Sequence, residues 1–579
     1  NQNYKHSVML QVRRPMLCAA IPLLLLLVFG VEVHAHITYI EARLPLEGTR
    51  SPSGSPWPMP QIYTTQPKLL EINPTTFDIR SDAICCDIID KAIKRYRKVL
   101  FPQKKTPLPG DLPKLKALHV DVTSYSDKLT DCGYPQHQLN ENYTLIVKEE
   151  SGVATLKAAT VWGALRGLET FSQLVFIEDK TNRYLINATT IEDWPRFSFR
   201  GILLDTARHF QPVKVLKQNL DAMAISKFNV FHWHMVDDQS WPYEMRAYPN
   251  LTQAAYHHSQ VYSQKDVRDV IEYARERGIR VIPEIDTPGH TQALGKVFPD
   301  LLTACYGDGG RGTPRYPDFT GYEMLNPTKN YTYDVLREIF NETFTTFPDE
   351  YLHLGMDEVY YKCWESSPEI AEFMKKNGLN KVSDVEQYYV KQTLENVKKL
   401  GAKYMIWQDP IDNGVKAAPD TLVGLWKDTN LDSKFRSWRE YMEDTVKHGY
   451  QIVLSAPWYL NYISYGQDWR GYYEVDPRDF NATDSERDLV IGGEACMWGE
   501  YVDATNLISR LWPRASAVGE RLWSASSVNN TNDAAFRLDE HRCRMVRRGI
   551  PAAPILNGFC GDYDWDVPAV AATDHSEKP

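Results

Sequence analysis

From Phe197 onward the chain alternates short apolar runs with amphipathic stretches of helical length, the pattern of strands buried in a parallel sheet and of helices covering it. Eight such runs stand out: Gly201 to Asp205, Val230 to Val236, Arg280 to Ile285, Tyr351 to Gly355, Tyr404 to Trp407, Leu422 to Trp426, Ile452 to Ala456 and Val490 to Ala495. Eight strands with intervening helices predict an α/β fold of the (β/α)8 TIM barrel type over residues 196–579, with the active site where the strands end. Upstream the grammar differs. Helical patterns at Ile88 to Leu100 and Thr160 to Phe176 mix with strand-like runs at Ala117 to Val122, Tyr143 to Lys148 and near Tyr184. They predict a small α/β domain over residues 66–195. Between 36 and 65, the Pro/Ser/Gly-rich stretch Arg50 to Pro60 reads as a linker or pro-segment.

The predicted strand ends collect unusual residues. Arg208 and His209 follow the first strand, Asp237 and Asp238 the second, and Asp286 and His290 the third. The fourth run ends on Asp357 and Glu358, and because neighbours on a strand point to opposite faces, both can serve one site only if the strand stops there. Trp407, Trp426, then Trp458, Tyr459 and Asn461, and finally Trp498 and Glu500 close the remaining four. A lone Asp-Glu pair is usually solvated, and a lone Trp usually packs under a loop. Carboxylates, an Arg, a His and indoles recurring at all eight ends make a different pattern. It suits a sugar, whose C–H faces stack on indoles and whose hydroxyls take charged partners.

Composition narrows the class. With 43% hydrophobic residues, 24% charged residues and a formal net charge of -10 over 579 residues, the chain is globular and carries no basic tract for nucleic acid. Arg13-Arg14, the apolar run Met16 to Val31 and the small residues before His36 predict a signal peptide over residues 1–35. The run is shorter than the ~20 residues that span a bilayer, and no later stretch is apolar enough to cross one, so no membrane span is expected after its removal. Cys18 would leave with it, and an oxidising compartment makes disulfides the default for the cysteines that remain. Cys86 and Cys132 are a plausible bridge within the small domain, with Cys85 unplaced. A Cys305 to Cys363 bridge would staple two loops at the barrel mouth. Sequons at Asn142, Asn187, Asn250, Asn330, Asn341, Asn481 and Asn529 agree with a secretory route.

The segments Gly201-Ile-Leu-Leu-Asp-Thr-Ala-Arg208-His, Phe231-His-Trp-His-Met-Val-Asp237-Asp, Asp286-Thr-Pro-Gly-His290, His353-Leu-Gly-Met-Asp357-Glu358, Ser455-Ala-Pro-Trp-Tyr459-Leu-Asn461 and Gly493-Glu-Ala-Cys-Met-Trp498-Gly-Glu500 together resemble the β-N-acetylhexosaminidases of glycoside hydrolase family 20, most closely their lysosomal chains. The resemblance implies retaining, exo-acting removal of terminal β-N-acetylhexosamine from glycoconjugates or chitooligosaccharides, with the substrate's own acetamido group as nucleophile. It implies Asp357 as the residue that steers the acetamido group and Glu358 as general acid and base. Tyr459 would hydrogen-bond the acetamido oxygen inside a box of Trp407, Trp426 and Trp498, Arg208 and Glu500 would hold the ring hydroxyls with Asp237 and His290 in support, and Asn461 would be a further substrate-binding residue. It also supports the Cys305 to Cys363 and Cys543 to Cys560 bridges, a homodimer, and a lysosomal or secreted location. A like charge beside Glu358 predicts a raised pKa for it.

Departures from the family pattern are Met356 where a second Gly is usual, the absence of a Trp shortly after His290, and Tyr462 after Asn461. Acidic-substrate chains of the family resemble Asn-Arg at the last pair and neutral-substrate chains Asp-Leu. The His232-x-His234 pair invites a metal reading, but both histidines precede the carboxylates of their run and no bridging Lys stands out, so no metal or other cofactor is expected. A binding protein on an inactive hydrolase scaffold is the rival class.

Overall fold

A computed structural model describes residues 48–560 apart from 82–85, 103–106, 124–132, 179, 307–320, 463 and 465. The expected signal segment, Cys18, Cys85 and Cys132 lie outside the described residues, and with Cys132 so does the expected Cys86 to Cys132 bridge. No helix among the described residues is long and apolar enough to cross a membrane.

The first part of the chain forms strands β1 (Ile62–Ile72), β2 (Asp78–Ser81), β3 (Lys114–Leu115), β4 (Ala117–Val122), β5 (Tyr143–Val147), β6 (Val153–Ala158), β7 (Phe176–Glu178) and β8 (Arg183–Asp193), with helices α1 (Asp87–Leu100) and α2 (Val161–Leu174). The strands make one mixed sheet in the order β2-β4-β6-β5-β8-β1-β3, with β7 on β8. Helix α2, capped by Thr160 accepting from the Gly163 N–H, is buried along its whole length. A buried ion-pair network ties this sheet to the barrel: Glu141 accepts from Arg166 at 2.8 Å and from Arg200 at 2.7 Å, and all three are nearly or fully inaccessible.

The Pro-rich stretch carries no regular element but is no free linker. Trp57 is fully buried; its backbone N–H donates to Gln173 and its indole to the Ser516 carbonyl. Strand β1 begins at Ile62, inside the predicted 36–65 segment. The indole found a tertiary slot that composition does not reveal.

The barrel strands are β9 (Phe199–Asp205), β10 (Val230–His234), β11 (Arg280–Thr287), β14 (Tyr351–Gly355), β15 (Lys403–Trp407), β16 (Leu422–Leu425), β17 (Gln451–Leu454) and β18 (Val490–Met497), with the hairpin β12 (Leu302–Cys305) and β13 (Gly321–Leu325) between β11 and β14. They pair in parallel as a closed eight-stranded barrel, each within a few residues of its predicted run. Period-two alternation divides each strand. On β10, Phe231 and Trp233 join the outer core, whereas Val230 joins an inner apolar layer to which each strand contributes one residue: Phe199, Val230, Ile282, Tyr351, Met405, Leu422, Val453 and Ile491. Above that plug the inner face turns polar, with His232, Glu284, His353 and Glu494, then His234, Asp286 and Trp407.

Candidate active site

Strand β14 stops at Gly355, and the next residues turn sharply. Gly355 has φ 67°, Met356 74° and Glu358 48°, a run of left-handed backbone that non-glycine residues adopt at a cost. Gly355 is obligatory, since a Cβ there would lie 1.6 Å from Asp286 Oδ1. The Met356 N–H donates to that same oxygen at 3.1 Å. Met356 itself is fully buried in the outer core. The turn sends the two carboxylates to different environments: Asp357 is 8% exposed, whereas the Glu358 side chain is 56% exposed.

His290, also left-handed at φ 56°, links them. Its Nε2 lies 3.3 Å from Glu358 Oε2 and 3.9 Å from Asp357 Oδ2, and its Nδ1 lies 3.3 Å from Asp237 Oδ1. Burial opposes a charge on this imidazole, but Asp286, Asp237, Glu358 and Asp357 outweigh it and hold it protonated. The pKa pattern reverses the expectation for the pair. Contact with His290 holds Glu358 below the usual range despite partial burial. Burial pushes Asp357 up to about 7, with Asp409, Glu284 and Glu358 adding to the rise against His290. The like charge falls on the buried partner because the other one has the imidazolium beside it.

Arg208 is braced by Asp205 at 3.1 Å and Asp237 at 2.9 Å and lies 5.2 Å from the Trp498 ring. Glu500, exposed on the same rim, contributes to holding it charged. Trp407, Trp426 and Tyr459 form one cluster against which Trp498 packs. The Trp407 indole donates to Glu284 at 2.9 Å and that of Trp426 to Asp409 at 2.8 Å, so both rings are fixed from behind. Asp357 Oδ1 and Asn461 Oδ1 are buried without a hydrogen-bond partner among the described residues, and such atoms ask for a ligand. Tyr462 is 46% exposed and stacks on Tyr459 at 6.2 Å. Lys427 is engaged by Asp409 at 3.1 Å and Asp412 at 2.8 Å.

Sequence pattern assigns no role to Glu284 and Asp409 beneath this floor; Asp286 stands at a predicted strand end without a role, and His234 enters only through the metal reading of the His232-x-His234 pair. The available signal was polar residues at alternate, inward positions of apolar runs. The His232 and His234 pair is used by carboxylates. His232, between Glu284 and Glu494, is raised to about 9 against the effect of burial. Among the described residues, three groups bring donor atoms close enough for a metal: His232, Glu284 and His353; Asp237, Asp238 and His290; Asp286, His290 and Asp357. In each group an imidazole is already engaged by carboxylates through both ring nitrogens, His232 by Glu284 and Glu494 and His290 by Asp237 and Glu358.

The Cys305 to Cys363 bridge joins the β12 hairpin to the helix Tyr361–Ser366 just after Glu358, and Cys543 is bonded to Cys560. Cys496 is a buried free thiol. Of the sequon asparagines, Asn187 is half-buried and the other six are exposed.

Residues 197–526 match the family described as glycosyl hydrolase family 20, catalytic domain, and residues 56–174 match the description beta-acetyl hexosaminidase like. The chain is 45% identical over 563 residues to the human beta-hexosaminidase subunit beta, covering 95% of this chain and 98% of that one. It is 44% identical over 513 residues to the mouse subunit alpha, covering 87% and 94%. Among solved structures, a chitobiase of Flavobacterium johnsoniae superposes with a TM-score of 0.71 at 30% identity, over 85% of this chain and 73% of that one. With an eight-stranded barrel whose strand ends gather a buried and an exposed carboxylate inside a wall of indoles, the chain belongs to glycosyl hydrolase family 20.

Proposed function

We propose that the protein is a retaining exo-β-N-acetylhexosaminidase that removes terminal non-reducing N-acetylglucosamine and N-acetylgalactosamine by substrate-assisted catalysis. The observation that carries this reading is Asp357: a buried carboxylate with an unpartnered oxygen, set beside an exposed carboxylate and an indole wall. An acetamido N–H supplies the missing partner. That bond favours the Asp357 anion, and the proton held in the pair then resides on Glu358. The acetamido oxygen attacks the anomeric carbon with its lone pair. The glycosidic C–O bond breaks as Glu358 hands its proton to the leaving oxygen, and Asp357 steadies the positive oxazolinium ring. In the second half Glu358 takes a proton from water, whose oxygen opens the ring at the same carbon. Two inversions leave the β configuration.

Tyr459 and the Trp407, Trp426 and Trp498 rings enclose the acetamido methyl and fix its oxygen, while Arg208, Asn461 and Glu500 bind the sugar hydroxyls and block a chain beyond the non-reducing end. Asp237 and His290 support these groups. A lysosomal location, with secretion next, and a homodimer complete the reading. The human and mouse relatives bear the names of subunits, which supports assembly, and light scattering on the purified protein measures it. The domain limits proposed are 66–195 for the small domain and 196–579 for the barrel.

The test is hydrolysis of a chromogenic β-N-acetylglucosaminide. Glu358→Gln is expected to lower turnover by about 10²- to 10⁴-fold, with Asp357→Asn comparable and both proteins folded. A matched glucoside without the acetamido group should be nearly inert. An α-configured first product, or near-parental rates in either variant, would sink the proposal.

A further inference from the structure

Behind the catalytic pair the inward residues of three strands form a continuous file of alternating carboxylates and imidazoles. It begins at Glu494, which accepts from Ser455 at 2.9 Å and lies 3.1 Å from His232. His232 is 3.1 Å from Glu284 through its other ring nitrogen. Glu284 Oε2 meets His234 Nδ1 at 2.5 Å, and His234 Nε2 meets Asp237 Oδ2 at 2.8 Å. Asp237 reaches His290, and His290 reaches Glu358. Every member from Glu494 to Asp237 is 1% exposed or less. Buried charges this dense persist only when each has its counter-ion.

We propose that His234 is a positioning residue for the acid and base chemistry: it holds Asp237 from inside the barrel, and through Asp237 it sets the His290 ring that faces Glu358. His234 is fully buried, and the inference rests on the role given above to Glu358. Its two ring nitrogens are both spent on carboxylates, so it must carry both protons to satisfy them. The groups facing it are Glu284 and Asp237, with Asp205 nearby, and the Trp498 ring edge-on at 4.9 Å. Burial opposes its charge, and the carboxylates outweigh burial and raise its pKa. Without His234, Asp237 keeps Arg208 on Oδ2 at 2.9 Å and the Asp238 N–H on Oδ1 at 2.6 Å but loses its hold from inside the barrel, and the imidazolium would lose its fixed aim at Glu358.

Two amide replacements separate this from a packing role. His234→Gln puts an N–H near the Nε2 position and keeps the Asp237 contact, whereas His234→Asn puts one near Nδ1 and keeps only Glu284. Each is assayed on a β-N-acetylglucosaminide with a poor, alkyl leaving group and on one with a dinitrophenyl group, whose departure needs no proton. The expected result for His234→Asn is a loss of kcat on the alkyl substrate of about 10- to 100-fold, within the worth of a general acid, and a much smaller loss on the activated one, with His234→Gln recovering most of it. Equal losses on both substrates, or equal losses in both variants, overturn the proposal. Nitrogen-15 NMR of histidine-labelled parental enzyme gives an arm free of folding effects: both His234 nitrogens should be protonated through the working pH range, and an unprotonated one overturns it. Glu358→Gln runs alongside. If that variant keeps the alkyl activity, the role of Glu358 fails; if it is inactive while His234→Asn is unimpaired, only the positioning role fails.

Discussion

Adjacent in sequence, Asp357 and Glu358 have opposite electrostatic fates, and this has a consequence for pH. The last proton of the pair leaves with Asp357, raised by burial to about 7. Since turnover needs one proton in the pair, kcat/KM on a neutral substrate is expected to fall as pH rises through about 7. A profile flat to the alkaline side of that midpoint would contradict the shared proton. The same shift bears on stability. A carboxyl whose folded pKa exceeds its unfolded value stabilises the fold below the unfolded pKa of ~3.9 and loses that contribution as pH rises through the folded one. Asp357→Asn should therefore melt higher than the parent in alkaline buffer, with the difference vanishing in acid, even as it loses activity. Tyr462 decides a second question at this scale. With Lys427 spent on Asp409 and Asp412 and Tyr462 offering one hydroxyl, a 6-sulfated N-acetylglucosaminide lacks a charge-assisted contact there worth roughly 1.5 to 3 kcal/mol. Neutral substrates should be preferred, and Tyr462→Arg should narrow the gap in kcat/KM. Comparable rates on both substrates in the parent would show another cation at work.

The element that matters most is the turn after β14. Its left-handed run lets two consecutive side chains leave one strand toward one site, and Asp286 on the neighbouring strand clamps it through the Met356 N–H. Met356 sits where a glycine would be relaxed, at φ 74°, yet it is fully buried. Truncating a buried Met costs about 2 to 5 kcal/mol, more than the roughly 1 to 2 kcal/mol of a left-handed residue. Met356→Gly should thus lower the denaturation midpoint without raising turnover. A faster variant of unchanged stability would mean that strain, and not packing, governs the turn.

Across the whole molecule, the small domain and the barrel are joined by charges that water cannot reach. Arg200 is a barrel-strand residue, Arg166 belongs to α2, and Glu141 serves both. Removing the carboxylate strands two buried guanidinium groups, a loss on the scale of 3 to 5 kcal/mol for a broken buried pair. Glu141→Ala is expected to shift the unfolding of both parts together in urea, and melting of the small domain as a separate earlier transition would show that the parts are independent.

What the chain determined by itself follows from periodicity. Eight apolar runs at helix-separated intervals leave few architectures, and charged residues placed at run ends have nowhere to go but the mouth of a barrel, so Arg208, Asp237, His290, Asp357 and Glu358 could be assembled on paper. Strand β1 could not be found this way: it is mostly exposed, contains Pro67 and breaks its register with β8 between Thr65 and Leu69, which erases alternation. Trp57 looked like part of a linker because burial depends on distant partners, Gln173 and Ser516. The Glu358 shift runs opposite to the expectation from sequence for the same reason. A neighbouring carboxylate is visible in sequence, but which of the two is desolvated and which meets an imidazolium is decided by how β11 and β14 bring His290 to the turn. Local pattern sets where charged groups must emerge; only the packed barrel sets which of them keep a proton.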